Sequence, residues 1–255
     1  MENKLSFAKE IIKEAGAFIK DSLSKTITVE EKTAFDDLVT NIDKQTQDLL
    51  VARIRSAFPA DYIFAEENGL VHDIKDGNVW VLDPIDGTVN FIVQQENFCV
   101  MIAYYEEGKG KFGLIYNVMV DELFYGGGQF DVYCNDKLLP VYQDRPLNRC
   151  LVASNAAMFA KNFHDLQSFI DKTLGVRVYG GAGLSMSKVL SGQILAYFSV
   201  IYPWDYAAAS IMGEKLGYQL ETISGEALDY SSRQAVMLIP KAKLNDIKTI
   251  MNSKG

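Results

Sequence analysis

Two aspartates suited to metal chemistry, Asp83 and Asp86, stand at the end of the apolar run that begins at Val79. Residues 79–82 are apolar and mostly β-branched or aromatic, which predicts a buried strand that delivers both carboxylates to one end of a sheet. Two carboxylates held this close repel each other, and a hard divalent cation between them removes the repulsion. The segment therefore predicts a cation site at the end of the strand.

The residues around the two aspartates restrict the backbone as such a site requires. Pro84 fixes its own φ and favours an extended conformation at Asp83. Gly87 permits a positive φ and a close approach of the backbone to a ligand, and Thr88 can cap a following turn. We therefore expect a rigid turn directly after the strand.

Three further acidic segments could contribute ligands, and each also has a purely structural interpretation. In the first, Thr40 would cap a helix whose first turn holds Asp43, a carboxylate that complements the helix dipole. In the second, Glu66 and Glu67 follow a short strand-like run and could lie in a solvated loop. In the third, Asp205 precedes an apolar run and is a good candidate for a helix N-cap, a role that does not exclude metal binding.

Two other classes of acidic motif fit the sequence poorly. An EF-hand loop needs ligands at alternate positions, then a glycine and a distant glutamate, whereas Asp83 and Asp86 are three residues apart. A phosphatase with an aspartyl nucleophile of the DxDxT type needs acids two residues apart, and here Pro84 and Ile85 both intervene. A covalent phosphoenzyme is therefore not predicted.

A glycine-rich segment, GGAGLS from Gly180 to Ser185, follows one predicted strand and opens a predicted helix. It fails the dinucleotide-binding pattern GxGxxG, because counting from Gly181 places Met186 at the position of the last glycine. Two interpretations remain open: a tight turn that lets a substrate approach the backbone, or a simple strand-to-helix turn.

The composition restricts the partners and the compartment of the protein. A net charge of −8 over 255 residues argues against nucleic acid or an anionic membrane as a partner, because both attract basic surfaces. Residues 1–20 have the periodicity of an amphipathic helix and not of an export signal, and no apolar run reaches the roughly 18 residues of a membrane span. The three scattered cysteines are expected to be reduced thiols, which favours a cytoplasmic location.

The remaining pattern predicts helices on a meandering sheet in the first half and layered helices and strands in the second half. The boundary is expected near residues 140–150, which gives an N-terminal α+β domain over 1–145 and a C-terminal α/β domain over 146–255. The predicted helices are 1–20, 40–57, 160–173, 184–190 and 206–216. The predicted strands are 62–64, 79–82, 98–105, 111–117, 150–154, 176–179 and 194–199, with more strand signal through 123–141.

Together, four segments resemble those of one enzyme family. In chain order they are DLVTNID from Asp37, the pair Glu66 and Glu67, WVLDPIDGTVNF from Trp80 and WDYAA from Trp204. Their order and separation are similar to those of the inositol monophosphatase family of magnesium-dependent, lithium-sensitive phosphatases. The resemblance implies an α+β fold of alternating layers, an αβαβα sandwich of the type shared with fructose-1,6-bisphosphatase, and a homodimer.

The resemblance also implies a ligand set for two or three Mg²⁺ ions per site. One ion would be held by Glu66, Asp83 and the carbonyl oxygen of Ile85. A second would be held by Asp83, Asp86 and Asp205, and Glu66 would also lie near a weaker third site. All of these ligands are oxygen atoms, which suit Mg²⁺.

Two further residues would support this ligand set without binding the ions directly. Glu67 would orient the ligands or a water on the metal. Lys32, five residues before Asp37 as in the family, would lie near the acids, and an ordinary surface lysine is the alternative interpretation.

The implied reaction is hydrolysis of a small phosphate monoester by direct attack of a metal-activated water. Thr88, paired with Asp43, would position or deprotonate this water, and Glu66 would assist. The backbone N–H groups of Gly87 and Thr88 would bind phosphate oxygens. Further substrate contacts are implied for Asp86, Gly181, Ala182 and Asp205.

The sequence departs from the family pattern where the alcohol part of the substrate would bind. The stretch YFSVIYP, residues 197–203, contains no acid, whereas animal enzymes of the family carry a glutamate there that contacts inositol hydroxyls. The usual Gly-Ser/Thr-Ala-Ala/Val turn is replaced by GGAG from Gly180. Inositol 1-phosphate is the first expected substrate, and NADP(H), fructose 1,6-bisphosphate, histidinol phosphate and adenosine bisphosphates are the alternatives. The non-enzymatic alternative is a metal-binding regulatory protein.

Overall fold

The computed structural model describes residues 1–251, which form eight α-helices and fourteen β-strands. The strands make up a seven-stranded sheet, a five-stranded sheet and a two-stranded hairpin. The hairpin pairs β1 (Val29–Glu31) with β2 (Leu38–Thr40) and was not predicted from the sequence.

The seven-stranded sheet carries the segment with the two neighbouring aspartates. Its strands, in spatial order, are β3 (Tyr62–Ala65), β4 (Asn78–Asp86), β5 (Cys99–Glu106), β6 (Lys109–Asn117), β7 (Glu122–Gly127), β8 (Phe130–Cys134) and β9 (Lys137–Leu138). The pair β3 and β4 is parallel, and all other neighbours are antiparallel. The spatial order follows the chain order, so the predicted meander is confirmed.

Strand β4 is irregular at its two aspartates. Asp83 is paired with Met101 and Asp86 with Cys99, so a three-residue step on β4 matches a two-residue step on β5. Residues three apart on a regular strand face opposite sides of the sheet, and the extra residue brings Asp83 and Asp86 to the same side. Pro84 lies within this bulge, where its missing N–H is tolerated.

Two helices, α1 (Glu2–Ser22) and α2 (Asn41–Ala57), cover one face of the seven-stranded sheet. The apolar residues of α1 recur at helical spacing, and Ile11 and Ile12 are fully buried in one cluster with Trp80 of β4. The remaining helices, in chain order, are α3 (Thr88–Gln94), α4 (Ala156–Ala160), α5 (Leu166–Ile170), α6 (Ala182–Leu190), α7 (Pro203–Lys215) and α8 (Leu244–Met251).

Helices α6 and α7 pack on the opposite face of the seven-stranded sheet. Their buried side chains, such as Met186 and Ala208, belong to one cluster with residues of β4 and β5. The backbone of α7 lies so close to the sheet that a Cβ atom on Gly113 would be 2.3 Å from the Ala208 carbonyl oxygen. Because only glycine leaves this space, Gly113 fixes the distance between α7 and the sheet.

The five-stranded sheet covers the other side of α6 and α7. Its strands, in spatial order, are β11 (Val176–Arg177), β10 (Val152–Ser154), β12 (Tyr197–Ile201), β14 (Gln234–Pro240) and β13 (Tyr218–Thr222). Tyr197 joins the cluster with α6 and α7, whereas the next residue, Phe198, joins an outer cluster with α4, α5 and α8. The layers are therefore αβαβα, and the predicted fold class is confirmed.

The continuous helix predicted over residues 160–173 is wrong. Only the short helix α5 lies within this range, because α4 ends at Ala160 and a 3₁₀ turn follows, where Asn162, His164 and Asp165 all have positive φ. Strands β13 and β14 and helix α8 were not predicted either, and the strand expected over 194–199 begins only at Tyr197.

The division into domains 1–145 and 146–255 stays a prediction. The seven-stranded sheet lies in the first range and the five-stranded sheet in the second, but one apolar cluster contains side chains from both. Residues 252–255 of the second predicted domain lie outside the described residues.

The state of the cysteines and the length of the helices were both predicted from the sequence. Cys99, Cys134 and Cys150 form no disulfide within the part of the chain that the structure describes. Among residues 1–251, none of the helices combines the length and the apolar character that a membrane crossing requires.

Candidate active site

Three aspartates meet at the C-terminal end of β4. One carboxylate oxygen each from Asp83, Asp86 and Asp205 lies within 4.8 Å of the others. Asp83 and Asp86 are buried, and Asp205, on the first turn of α7, is partly buried. One cation can contact all three at this separation, and an oxygen-only ligand set suits Mg²⁺.

Asp83 gives the clearest indication that a cation belongs here. The residue is 1 % exposed, and neither of its carboxylate oxygens has a hydrogen-bond partner among residues 1–251. Burial, reinforced by the nearby carboxylates of Glu66 and Asp86, raises the pKa of Asp83 well above its usual value. A buried carboxylate without donors destabilises the fold unless a proton or a cation neutralises it. The residues therefore fit a divalent ion.

Asp86 is held by the N-terminal end of α6. Its carboxylate accepts hydrogen bonds from the backbone N–H groups of Ala182 (2.9 Å) and Gly183 (2.8 Å). Burial raises the pKa of Asp86 to about 6, although these donors favour the charged form. A Cβ atom on Gly181 would lie 2.8 Å from Asp86 Oδ2, so a larger residue would displace the carboxylate.

The glycine-rich turn before α6 therefore positions a carboxylate, a role that sequence reasoning missed. Both predicted substrate residues of this turn, Gly181 and Ala182, lie against Asp86. The Ala182 N–H is already engaged by that carboxylate, so it is not free to donate to a substrate.

Asp205 is the third residue of α7, so its assignment as the N-cap is wrong. The helix begins at Pro203 after the cap residue Tyr202, whose backbone N–H donates to Asp205 at 2.7 Å. This bond fixes the orientation of the carboxylate on the first turn. Burial, reinforced by Glu66 and Asp86, raises the pKa of Asp205 well above its usual value.

Asp43 and Thr88 form a hydrogen-bonded pair that joins α2 to the end of β4. Thr88 Oγ1 is 3.2 Å from Asp43 Oδ1 and 3.1 Å from the Ile85 carbonyl oxygen, and its single proton can go to either acceptor. Asp43 Oδ2 accepts hydrogen bonds from the Thr40 hydroxyl and, at 2.9 Å, from the Thr40 N–H. The predicted capping role of Asp43 is therefore confirmed, and the same carboxylate also contacts Thr88. Burial raises the pKa of Asp43 to about 6.

Lys32, in the turn between β1 and β2, bridges Glu66 and Glu67. Its Nζ lies 2.9 Å from Glu66 Oε1 and forms a second ion pair with Glu67. Burial alone would lower the pKa of Lys32, but the two ion pairs raise it overall. Burial raises the pKa of Glu66 to about 7, a shift that Lys32 opposes. Lys32 is therefore not an ordinary surface lysine.

Gln47 of α2 is a residue of this region that sequence reasoning missed. Its side-chain amide donates to the Glu67 carbonyl at 2.7 Å and accepts from the Glu67 N–H at 2.8 Å. These bonds fix the backbone after β3 and, with it, the position of Glu66. The available signal was a glutamine on the buried face of a predicted helix, one turn after Asp43.

A cavity of about 230 Å³ lies beside Asp86 and Asp205. The buried Ser199 contributes to its lining, as does Arg233, which donates from Nε to the Val200 carbonyl at 3.0 Å. Neither residue was predicted, because Arg233 reaches this cavity only through the pairing of β14 with β12. The cavity offers space for the alcohol part of a substrate.

A buried carboxylate cluster at the end of a central strand, within an αβαβα fold, defines the protein as a metal-dependent hydrolase. More specifically, the chain belongs to the inositol monophosphatase family, whose sequence pattern matches residues 1–250. It is a phosphatase, a hydrolase of phosphoric monoesters, and it binds Mg²⁺.

The relatives span nearly the whole chain. The inositol-1-monophosphatase of Bacillus subtilis (strain 168) is 38 % identical over 237 residues, which cover 90 % of this chain and 89 % of the relative. A Thermotoga maritima protein named fructose-1,6-bisphosphatase/inositol-1-monophosphatase is 29 % identical over 236 residues, which cover 92 % of this chain and 90 % of the relative. A crystal structure of an IMPase/NADP phosphatase complexed with Mg²⁺ and phosphate is similar with a TM-score of 0.91 at 27 % identity, covering 100 % of this chain and 97 % of that one.

These similarities confirm the predicted family and the predicted enzyme class. They favour an enzyme over the metal-binding regulatory protein that was the alternative. The role of each residue in catalysis remains a prediction.

Proposed function

We propose that the protein hydrolyses a small phosphate monoester, with inositol 1-phosphate as the first substrate, in a site that holds two or three Mg²⁺ ions. The observation that carries this proposal is the buried Asp83 carboxylate, which lacks a hydrogen-bond partner among residues 1–251 and lies beside Asp86 and Asp205. An anionic phosphate group can approach three carboxylates only when cations neutralise them.

The ligands of the ions are proposed as follows. Glu66, Asp83 and the Ile85 carbonyl oxygen would hold one ion. Asp83, Asp86 and Asp205 would hold a second, and Glu66 would lie near a weaker third. When bound, Mg²⁺ supplies positive charge that stabilises the phosphate group and the charge that develops on the attacking and leaving oxygens.

Thr88 and Asp43 would orient the attacking water and take up its proton. A Thr88 hydroxyl that donates to Asp43, 3.2 Å away, offers its oxygen as an acceptor for a hydrogen of the water. With a pKa of about 6, Asp43 is mostly ionised above pH 7 and able to accept a proton through Thr88. Glu66 would assist this proton transfer.

The phosphate group would lie against the turn that follows β4. Gly87 has a φ of +89°, and the proposed phosphate donors are its N–H group and that of Thr88. Gly181 lines the neighbouring cavity, where the alcohol part would bind. Ala182 would contact the substrate only through atoms other than its N–H, which donates to Asp86.

A second candidate function is removal of a phosphate from NADP(H) or from fructose 1,6-bisphosphate, and Arg233 favours it. Its only hydrogen bond among residues 1–251 uses Nε, which leaves the outer guanidinium N–H groups for a second anionic group of the substrate. The stretch 197–203 offers no acid for inositol hydroxyls. Two relatives carry fructose-1,6-bisphosphatase or NADP phosphatase activity in their names.

Release of inorganic phosphate with Mg²⁺ present distinguishes these substrates. The panel is inositol 1-phosphate, NADP, fructose 1,6-bisphosphate, histidinol phosphate and an adenosine bisphosphate. If Arg233 binds a second anionic group, Arg233→Gln lowers kcat/KM for NADP and fructose 1,6-bisphosphate about tenfold and leaves inositol 1-phosphate unchanged. Arg177→Gln, at an exposed arginine outside this cavity, is the matched control. No release from any compound of the panel would refute the proposal.

We further propose that the enzyme is a lithium-sensitive homodimer of the cytoplasm. The free thiols of Cys99, Cys134 and Cys150 suit a reducing compartment, and the family resemblance supports the dimer and the lithium sensitivity. Light scattering should give twice the mass of one chain, and millimolar Li⁺ should inhibit phosphate release. A monomer would contradict the proposed dimer, and activity that Li⁺ does not reduce would contradict the proposed lithium sensitivity.

A further inference from the structure

A second and larger cavity, of about 500 Å³, lies away from the carboxylate cluster. It is formed by the end of β5, the turn to β6, the second half of α7, β13 and the residue that follows β14. Glu214, which lines it, is nine residues beyond Asp205 on α7. This is about 13 Å along the helix axis. The two cavities share no lining residue, so the larger one is not part of the proposed active site.

Three polar side chains contribute to the wall of this larger cavity. The hydroxyl of Tyr105, a residue that is 3 % exposed, lies beside the hydroxyl of Ser210, which donates to the Ala207 carbonyl at 2.9 Å. The amide nitrogen of Gln219 on β13 has no hydrogen-bond partner among residues 1–251. Native proteins retain few unpaired buried polar groups, and a ligand that bonds to such a group is one physical reason to retain it.

The rim of the larger cavity is basic, although the chain as a whole carries a net charge of −8. Lys109 and Lys241 are exposed lining residues that form no ion pair with any described residue of the chain. Of the two acids in the lining, Glu221 is paired with Lys248 at 2.6 Å, which leaves Glu214. Two unpaired cations thus stand against one unpaired anion, and this local excess of positive charge favours an anionic ligand.

One wall of the larger cavity is aromatic. The ring centroid of Tyr230 is 6.2 Å from that of Tyr105 and 5.7 Å from that of Tyr206. Tyr230 has a φ of +55°, a conformation that bulky residues rarely adopt and that is often retained at binding sites. A flat ring can pack against such aromatic surfaces.

We propose that this cavity binds a small organic anion that joins a planar heteroaromatic body to an anionic tail, the class that includes nucleoside monophosphates. The body packs against Tyr230 and bonds to Gln219, while Lys109 and Lys241 bind the tail. The cavity volume of about 500 Å³ lies within the roughly 300–1,000 Å³ of small-molecule sites.

Isothermal titration calorimetry of the whole chain with adenosine 5′-monophosphate tests this proposal. The titration is done in EDTA, because removal of Mg²⁺ leaves the active-site carboxylates unneutralised and hostile to phosphate. We expect one molecule per chain, with about tenfold weaker binding to Lys241→Gln and to Gln219→Leu. Lys172→Gln, at an exposed lysine outside the cavity, should bind like the wild type.

Two comparisons separate the parts of the ligand. Adenosine and inorganic phosphate should each bind more weakly than adenosine 5′-monophosphate, because each lacks one of the two parts. Lys241→Gln changes an exposed side chain, so a folding defect is not expected to obscure its result. The absence of saturable binding to the wild type would overturn the proposal, and so would equal binding to the wild type, Lys241→Gln and Gln219→Leu.

Discussion

Replacement of Asp83 by asparagine tests the metal site, because it removes the charge while it preserves the shape of the side chain. Asp83 is 1 % exposed and its oxygens lack hydrogen-bond partners among residues 1–251. An ionised carboxylate in such a place destabilises the metal-free fold by several kcal/mol, and the uptake of a proton lowers this cost. An asparagine leaves an unpaired amide there, which costs about 1–3 kcal/mol. Without Mg²⁺ at pH 8, we therefore expect Asp83→Asn to equal the wild type or to exceed it by about 2 kcal/mol in the free energy of unfolding.

Mg²⁺ should reverse this order. At 100 times its dissociation constant, a bound ion stabilises the wild type by about 2.7 kcal/mol. For a chain of 255 residues this raises Tm by roughly 5–10 °C. Asp83→Asn should lose most of this shift, because the proposed ligand set places Asp83 on both ions. Turnover should fall by at least about 10³-fold for the same reason.

Differential scanning calorimetry with and without Mg²⁺, together with phosphate release, measures both effects. Asp171→Asn changes an exposed aspartate on the surface and is the matched control. A variant at Asp83 that keeps wild-type turnover, or that Mg²⁺ stabilises as much as the wild type, would refute the reasoning.

Three other predictions follow from the geometry of the site. Thr88→Val removes the hydroxyl that pairs with Asp43 and should lower kcat about 100-fold. Thr88→Ser keeps the hydroxyl and should retain most of the wild-type kcat, so an equal loss in both variants would contradict the proposed proton path. Gly181→Ala places a Cβ atom 2.8 Å from Asp86 Oδ2 and should raise the Mg²⁺ concentration needed for half-maximal rate about tenfold, and an unchanged Mg²⁺ requirement would show that Asp86 is not displaced. Burial raises the pKa of Asp43 and Asp86 to about 6 and that of Glu66 to about 7. In the unfolded chain the pKa of these groups is near 4, so the stability that they contribute to the metal-free fold is fully present below about pH 4 and is lost as the pH rises through 6 to 7. The Tm shift caused by Mg²⁺ should therefore be larger at pH 8 than at pH 5.5, and a shift that shrinks with pH would be inconsistent with this account.

The central part of the site could be predicted from local sequence. An apolar strand followed by Asp83 and Asp86 indicates a cation site, and Thr40 with Asp43 indicates a capped helix start. These signals are local, because strand periodicity and capping depend on residues a few positions apart. The extra residue that turns both aspartates to one face is visible only in the pairing of β4 with β5.

The rest of the site depends on contacts between distant parts of the chain. The glycine-rich turn from Gly180 gives no local sign that the N–H groups of Ala182 and Gly183 hold Asp86, which lies 96 and 97 residues earlier in the chain. Arg233 likewise reaches the site only because β14 pairs with β12. The break between α4 and α5 arises at Asn162 and the two positive-φ residues near it, a backbone choice that tertiary packing makes and that helical propensity does not reveal.

The most direct test of the account is the metal dependence of turnover by the purified chain. The protein is stripped with EDTA and Mg²⁺ is then added back, while release of inorganic phosphate from inositol 1-phosphate and from NADP is followed. We expect no release after stripping and full recovery on addition of Mg²⁺, with Asp83→Asn inactive throughout. Phosphate release that continues undiminished in EDTA, or that Mg²⁺ fails to restore in a folded protein, would contradict it.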